Sequence, residues 1–127
     1  MNTEKIVFCF FIVLAMTLNF AFVNGDIDNI NHHLPIELFF AIVVNIIATI
    51  LKFGDRTHMG SLLLATSLVA NLQLIISAFI WAYVVHISDV GLTQSSVAAI
   101  VSYASGALLA NIVSVILLVI ETAQMRR

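Results

Sequence analysis

The sequence predicts an all-α membrane protein: four transmembrane helices packed as an antiparallel up-down bundle, with both termini cytoplasmic. Three observations predict it. Of the 127 residues 61% are hydrophobic and only 9% charged, whereas a small soluble domain carries roughly a quarter charged side chains. Four continuously apolar stretches, residues 6–23, 36–53, 60–85 and 97–120, each approach the ~20 residues that cross the hydrocarbon core as a helix. Lys5, Lys52, Arg56, Arg126 and Arg127 fall at the N-terminus, the second connection and the C-terminus, which four crossings place on one face of the membrane. The positive-inside rule makes that face the cytoplasm. The whole of 1–127 is expected to be one transmembrane domain.

The first span begins after Lys5 and ends before Asn24-Gly25-Asp26. Met1 to Gly25 also fits a secretory signal peptide, with Val23-Asn24-Gly25 as a small-residue cleavage site. The apolar run exceeds the usual 7–15 residues of a signal core, and Glu4 adds an acid to the charged start, so retention is expected. The second span follows Pro35, which suits a first helical turn, with Glu37 near the positive end of the helix dipole. Lys52-Phe53-Gly54-Asp55-Arg56-Thr57 then joins spans two and three so tightly that they must be neighbours. Gly54 suits a left-handed C-cap and Asp55 or Thr57 the next N-cap. Lys52 and Arg56 are read as snorkelling anchors, with lipid phosphate as the alternative ligand. The third span is long enough to tilt or project, and Trp81, Tyr83 and Tyr103 suit an aromatic belt at the outer interface.

The fourth span repeats a small residue at every fourth place: Ala98, Ser102, Gly106, Ala110 and Ser114. Such a stripe admits another backbone. Part of it is expected to meet helix two or three and part another chain, with a purely internal seam as the alternative. "AIVVNIIATIL" (41–51) also aligns without gaps on "ALLANIVSVIL" (107–117), and "LAMTL" (14–18) more weakly on "LATSL" (64–68). That is the pattern of a doubled helical hairpin.

Composition excludes several functions. A net charge of −2 with scattered cations offers no basic stripe to nucleic acid. Cys9 is the only cysteine, which removes disulfide, CxxC and thiolate-cluster chemistry. The span interiors hold no carboxylate or histidine, so proton-coupled transport lacks its carrier group and haem its paired ligands. Small multidrug-resistance transporters match in length and helix count, but the acidic residue of their first helix is absent. No enzyme and no cofactor is expected.

The interior offers amides: Asn19, Asn45, Asn71, Gln73 and Asn111. They either bond between helices or line a neutral path for a small cation. Glu37, Ala41, Asn45 and Thr49 are read as one face of helix two, and Ser61, Ala65, Val69, Gln73 and Ser77 as one face of helix three. Asp26, Asp28, His32, His33, Glu37, His86 and Asp89 are the only concentration of metal-ligand types. They lack an HxxxH spacing, so a solvated acidic loop is expected and no metal.

"KFGDRT" (52–57), "LLATSLVANLQLI" (63–75) and the opening "MNTEKIVFCFFIVLAMTLNF" resemble a family of small, uncharacterised four-helix bacterial inner-membrane proteins. The resemblance implies an inner-membrane location and carries no activity. The expected function is a non-enzymatic membrane subunit that associates, besides the lipid bilayer, with itself or with a larger complex such as an ion-transport system. The alternative is an oligomeric channel or facilitator for a small cation.

Overall fold

The computed structural model describes residues 3–26, 29, 31, 33–55 and 57–125. Arg56 of the connecting turn, and Asp28, His32, Arg126 and Arg127, lie outside the described residues. Four helices form: α1 Thr3–Val23, α2 Pro35–Lys52, α3 His58–His86 and α4 Gln94–Met125. All four are long and apolar enough to cross a membrane, and there is no strand among the described residues. The third and fourth helices outrun their apolar cores: 29 and 32 residues extend about 43 and 48 Å, against about 30 Å of hydrocarbon.

Local sequence explains the helix ends. Pro35 opens α2 after Leu34, whose side chain makes no cap, because a proline needs no N–H partner in the first turn. Gly54 closes it with φ +106°, backbone that a side chain would strain. Thr57 caps α3, its Oγ1 accepting from Gly60 N at 2.9 Å, and Asp55 fixes Thr57 through hydrogen bonds to its N (3.0 Å) and Oγ1 (2.7 Å). The carboxylate sits where a side chain on residue 60 would stand, so Gly60 leaves room for it.

The helices pack in cyclic order, α1 on α2, α2 on α3, α3 on α4, and α4 back on α1. At one end of the bundle Lys5 pairs with Glu121 at 3.0 Å and Lys52 lies 4.4 Å from the Phe8 ring centre. Each buried face follows a spacing of three then four residues. On α1 it runs Phe8, Ile12, Ala15, Asn19, Phe22; on α2 Leu38, Ala41, Asn45, Ala48, Lys52; on α3 Gly60, Leu63, Ser67, Ala70, Leu74, Ser77; on α4 Val97, Ile100, Ala104, Ala107, Asn111, Ser114, Leu118. That repeat averages 3.5 residues and keeps a seam facing its neighbour over many turns.

The seam corrects the expected face of helix three. Residues four apart on a helix drift by about 40° per step, so Ser61, Ala65 and Val69 are exposed, Gln73 is half-buried and only Ser77 is buried. The same drift divides the helix-four stripe: Ala110 and Ser114 are buried, Ala98 and Gly106 half-buried, and Ser102 exposed. On helix two, by contrast, Ala41, Asn45 and Thr49 are buried as expected.

The core falls into two apolar clusters. One gathers Phe22, Leu38, Leu74, Val97 and Ile100; the other gathers Phe8, Ile12, Ala48, Leu63 and Leu118 near the end that holds the Lys5–Glu121 pair. The α1–α2 connection is tied down by His33, which is 1% exposed. Its Nδ1 and Nε2 lie 2.5 and 2.6 Å from the carbonyl oxygens of Phe22 and Asp26.

Helices two and four share a burial pattern in the register of their sequence likeness, as two three-four seams in phase would. In register 41/107, Ala41, Val44, Asn45, Ala48 and Lys52 are buried where Ala107, Ala110, Asn111, Ser114 and Leu118 are buried, and Ile46 and Ile50 are exposed with Ile112 and Ile116. The weaker alignment of 14–18 on 64–68 does not hold, since Ala15 is buried and Ala65 exposed. A register two residues further along matches instead, pairing Phe8 with Gly60, Ala15 with Ser67, Asn19 with Asn71 and Phe22 with Leu74, all buried.

Candidate functional site

One asparagine from each helix enters the core. Asn19, Asn45 and Asn111 are fully buried and Asn71 is 9% exposed. Asn19, Asn45 and Asn111 belong to the same seams as the apolar side chains and Asn71 stands beside Ala70 of the α3 seam, so packing forces the amides inward and hydrocarbon offers them no water.

Two sub-networks result, on opposite sides of the bundle. On the α1–α4 side the amide of Asn19, oriented so that donors meet acceptors, donates to Ala104 O (2.9 Å). Its oxygen accepts from Leu108 N (3.0 Å) and from Asn111 Nδ2 (3.2 Å). Ala104 O and Leu108 N form one rung of the α4 backbone ladder, which Asn19 grips as a peptide group would. On the α2–α3 side Asn71 Nδ2 donates to Thr49 Oγ1 at 2.6 Å. Thr49 Oγ1 in turn donates to Asn45 O at 2.8 Å, and Asn45 Nδ2 to Ala41 O at 2.8 Å.

The accounting is one-sided. Every amide N–H₂ of these residues finds an acceptor, while the oxygens Asn45 Oδ1, Asn71 Oδ1 and Asn111 Oδ1, with Ser67 Oγ, are buried without a hydrogen-bond partner. An unpaired buried acceptor costs about 1–3 kcal/mol. The layer is therefore an electronegative band, made of neutral oxygens, between apolar clusters.

Small hydroxyls extend it. Thr66 and Ser114 Oγ atoms meet at 2.5 Å across α3 and α4, and Ser77 Oγ donates to Ile100 O. The buried half of the helix-four stripe thus belongs to the α3–α4 contact. Gln73, by contrast, is not in the layer. It lies half-buried on the outer side of that contact, and a Cβ on Gly106 would stand 3.2 Å from Gln73 Cδ. Its amide makes no hydrogen bond among the described residues.

At the Lys5–Glu121 end the turn residues Lys52, Gly54, Asp55 and Thr57 form one hydrogen-bonded unit, with Arg56 outside the described residues. Lys52 is 7% exposed, which corrects its reading as a snorkelling anchor: it occupies a seam position, its Nζ 3.4 Å from Asp55 Oδ2. The hydrogen bonds from Thr57, and then the Lys52 charge, hold the Asp55 carboxyl below the ordinary carboxylate range, against the opposing effect of burial.

At the other end His33 has both ring nitrogens against carbonyl oxygens, so neither is turned to a metal. Among the described residues no three of His, Cys, Asp and Glu gather as a metal site would require.

A protein family of unknown function, DUF6394, matches residues 32–122. The chain belongs to this family. The DUF6394 match takes in α2, α3, α4 and the Lys52–Thr57 turn, and begins after α1. No curated protein matches the chain, and no solved structure does.

Proposed function

We propose that this chain is a non-enzymatic, integral subunit of a bacterial inner membrane that assembles with itself or with a larger membrane complex through the outer face of α3 and α4. The observation that carries it is Gln73. A glutamine at the middle of a membrane-spanning helix, half-buried and without a hydrogen-bond partner among the described residues, faces a medium that offers none, and interhelical hydrogen bonding is its remedy. Gly106 makes room for the Gln73 side chain, and Ser102, one turn away on α4, is small and exposed, so a neighbouring helix can approach closely. Two copies related by a two-fold axis would let the Gln73 amides pair with each other.

The helices run antiparallel, up and down, with both termini cytoplasmic and α1 retained. The Lys5–Glu121 ion pair, which joins the first turn of α1 to the last turns of α4, supports this arrangement, as does the grip of Asn19 on α4. Cations at the N-terminus, the second connection and the C-terminus support the orientation.

The test is copy number of the full chain in nanodiscs or by native mass spectrometry. Wild-type protein is expected as a dimer or higher assembly, or bound to a companion, and Gln73→Leu as a monomer of unchanged helicity. A wild-type monomer without companions overturns the proposal.

A second reading, an oligomeric cation path lined by neutral amides, is favoured by the unpaired oxygens of Asn45, Asn71 and Asn111. Lys52 opposes it, because a buried cation stands on the α2 seam that also carries Asn45 and Thr49. Ion flux in proteoliposomes from purified protein, abolished by Asn71→Leu with assembly intact, would replace the first reading with the second.

A further inference from the structure

At the bundle end that holds Lys5 and Glu121, the feet of α1 and α2 part around a cleft of about 770 Å³. Its walls include Glu4, Lys5 and Phe8 from α1, and Ile50, Lys52 and Asp55 from α2 and the turn. The cleft lies at the ends of two membrane-spanning helices, the depth at which lipid headgroups sit. Its apolar wall continues into exposed side chains, with Ile50 and Phe53 each 64% exposed.

The polar groups in it are unevenly matched. Lys52 has three N–H donors and a side chain only 8% exposed, yet among the described residues its one oxygen partner is Asp55 at 3.4 Å, a long contact. The Phe8 ring at 4.4 Å supplies a weaker attraction. Lys5, engaged with Glu121 at 3.0 Å, places a second cation on the wall. Glu4, exposed, has no partner among the described residues. Two cations and two carboxylates line the same space, so a purely anionic guest would meet Glu4 and Asp55 as well as the lysines. A guest carrying both signs satisfies both sets.

We propose that this cleft binds a zwitterionic aminophospholipid. The phosphate accepts hydrogen bonds from Lys52 and Lys5, the primary ammonium donates to Glu4 and Asp55, and the acyl chains follow the apolar wall past Ile50 and Phe53. Charge-assisted hydrogen bonds of this kind select by geometry as well as by sign. A choline headgroup has no N–H to give Glu4, a glycerol headgroup offers the carboxylates hydroxyls but no positive charge, and diacylglycerol lacks the phosphate. The site is set by one chain and does not depend on the assembly proposed above, since lipid retained and copy number are separate readouts.

The experiment is native mass spectrometry of the full-length chain, titrated with phosphatidylethanolamine, phosphatidylcholine, phosphatidylglycerol and diacylglycerol of the same acyl chains. Phosphatidylethanolamine is expected to be retained about tenfold more strongly than each of the others. Lys52→Gln should lower that retention about tenfold. Because Lys52 is buried and its loss can disturb folding, Glu4→Gln is the second variant. Glu4 is exposed, and its change should lower the preference for ethanolamine over choline severalfold while leaving helicity and copy number as they are. Equal retention of all four lipids, or a preference for the anionic one, overturns the proposal. Displacement of the bound lipid by millimolar inorganic phosphate does so too, by making the guest a free anion.

Discussion

Replacing Asn71 with leucine tests the one-sided amide accounting directly. The substitution keeps the number and branching of side-chain heavy atoms and removes two groups with opposite consequences. Loss of the 2.6 Å bond from Nδ2 to Thr49 Oγ1 costs roughly 0.6–2 kcal/mol in a membrane. Loss of the unpaired Oδ1 returns about 1–3 kcal/mol. Thr49 Oγ1 remains engaged as donor to Asn45 O, so no new unpaired donor is created. The net change lies between about 1 kcal/mol of destabilisation and about 2 of stabilisation.

Asn19→Leu is the matched contrast. Both polar atoms of Asn19 are satisfied, by Ala104 O, Leu108 N and Asn111 Nδ2, and its removal leaves Asn111 without its acceptor. At the same per-contact value those three contacts are worth roughly 2–6 kcal/mol. The two variants should therefore differ by at least about 1 kcal/mol, roughly fivefold in the unfolding constant. Reversible unfolding in bicelles or in mixed micelles titrated with dodecyl sulfate measures both. Equal losses of stability in the two variants would refute the unequal satisfaction of the two sides.

Other expectations concern the Lys5–Glu121 end of the bundle and the α3–α4 contact. Folded Asp55 has its carboxyl held below the unfolded value near 3.8, so its stabilisation is complete above that value and is lost as pH falls through the folded one. Acid unfolding curves of wild type and Asp55→Asn should therefore diverge at neutral pH and converge below about pH 3.8. Gly60→Ala should destabilise by about 1–3 kcal/mol, because a methyl group meets the Asp55 carboxylate. Gly106→Ala should cost less, since only the flexible Gln73 end must shift; thermal unfolding of the two compares them. Reversing Lys5 to Glu or Glu121 to Lys should each lower stability, and the double reversal should restore it, because the partners are 22% and 14% exposed. Failure of the double reversal to rescue would remove the evidence that the first and last helices share an end.

The sequence made the polar layer legible because amides are rare in the spans and every span carries one. What it left illegible was pairing. A neutral amide is satisfied by a backbone rung, a hydroxyl or another amide, so nothing in Asn19 or Asn71 announced α4 or Thr49 as the partner. The fourth-place spacing also misled, because it drifts around the helix while the true seam alternates three and four. Read in that alternation, Lys52 falls in line with Leu38, Ala41, Asn45 and Ala48, and its burial would have been foreseen. The Thr57 cap and the turn glycine were readable because each answers a local backbone need that few residue types can meet.

The reach of Asn19 and Asn71 across the bundle has a consequence for how the protein is made. Each belongs to one hairpin and finds its acceptor on the other: Asn19 on Ala104 of α4, Asn71 on Thr49 of α2. During synthesis the leading hairpin enters the bilayer with a polar group whose counterpart has not yet been translated. Arrival of the last helix is what completes it, so a product cut short before α4 stays chemically distinguishable from a finished one.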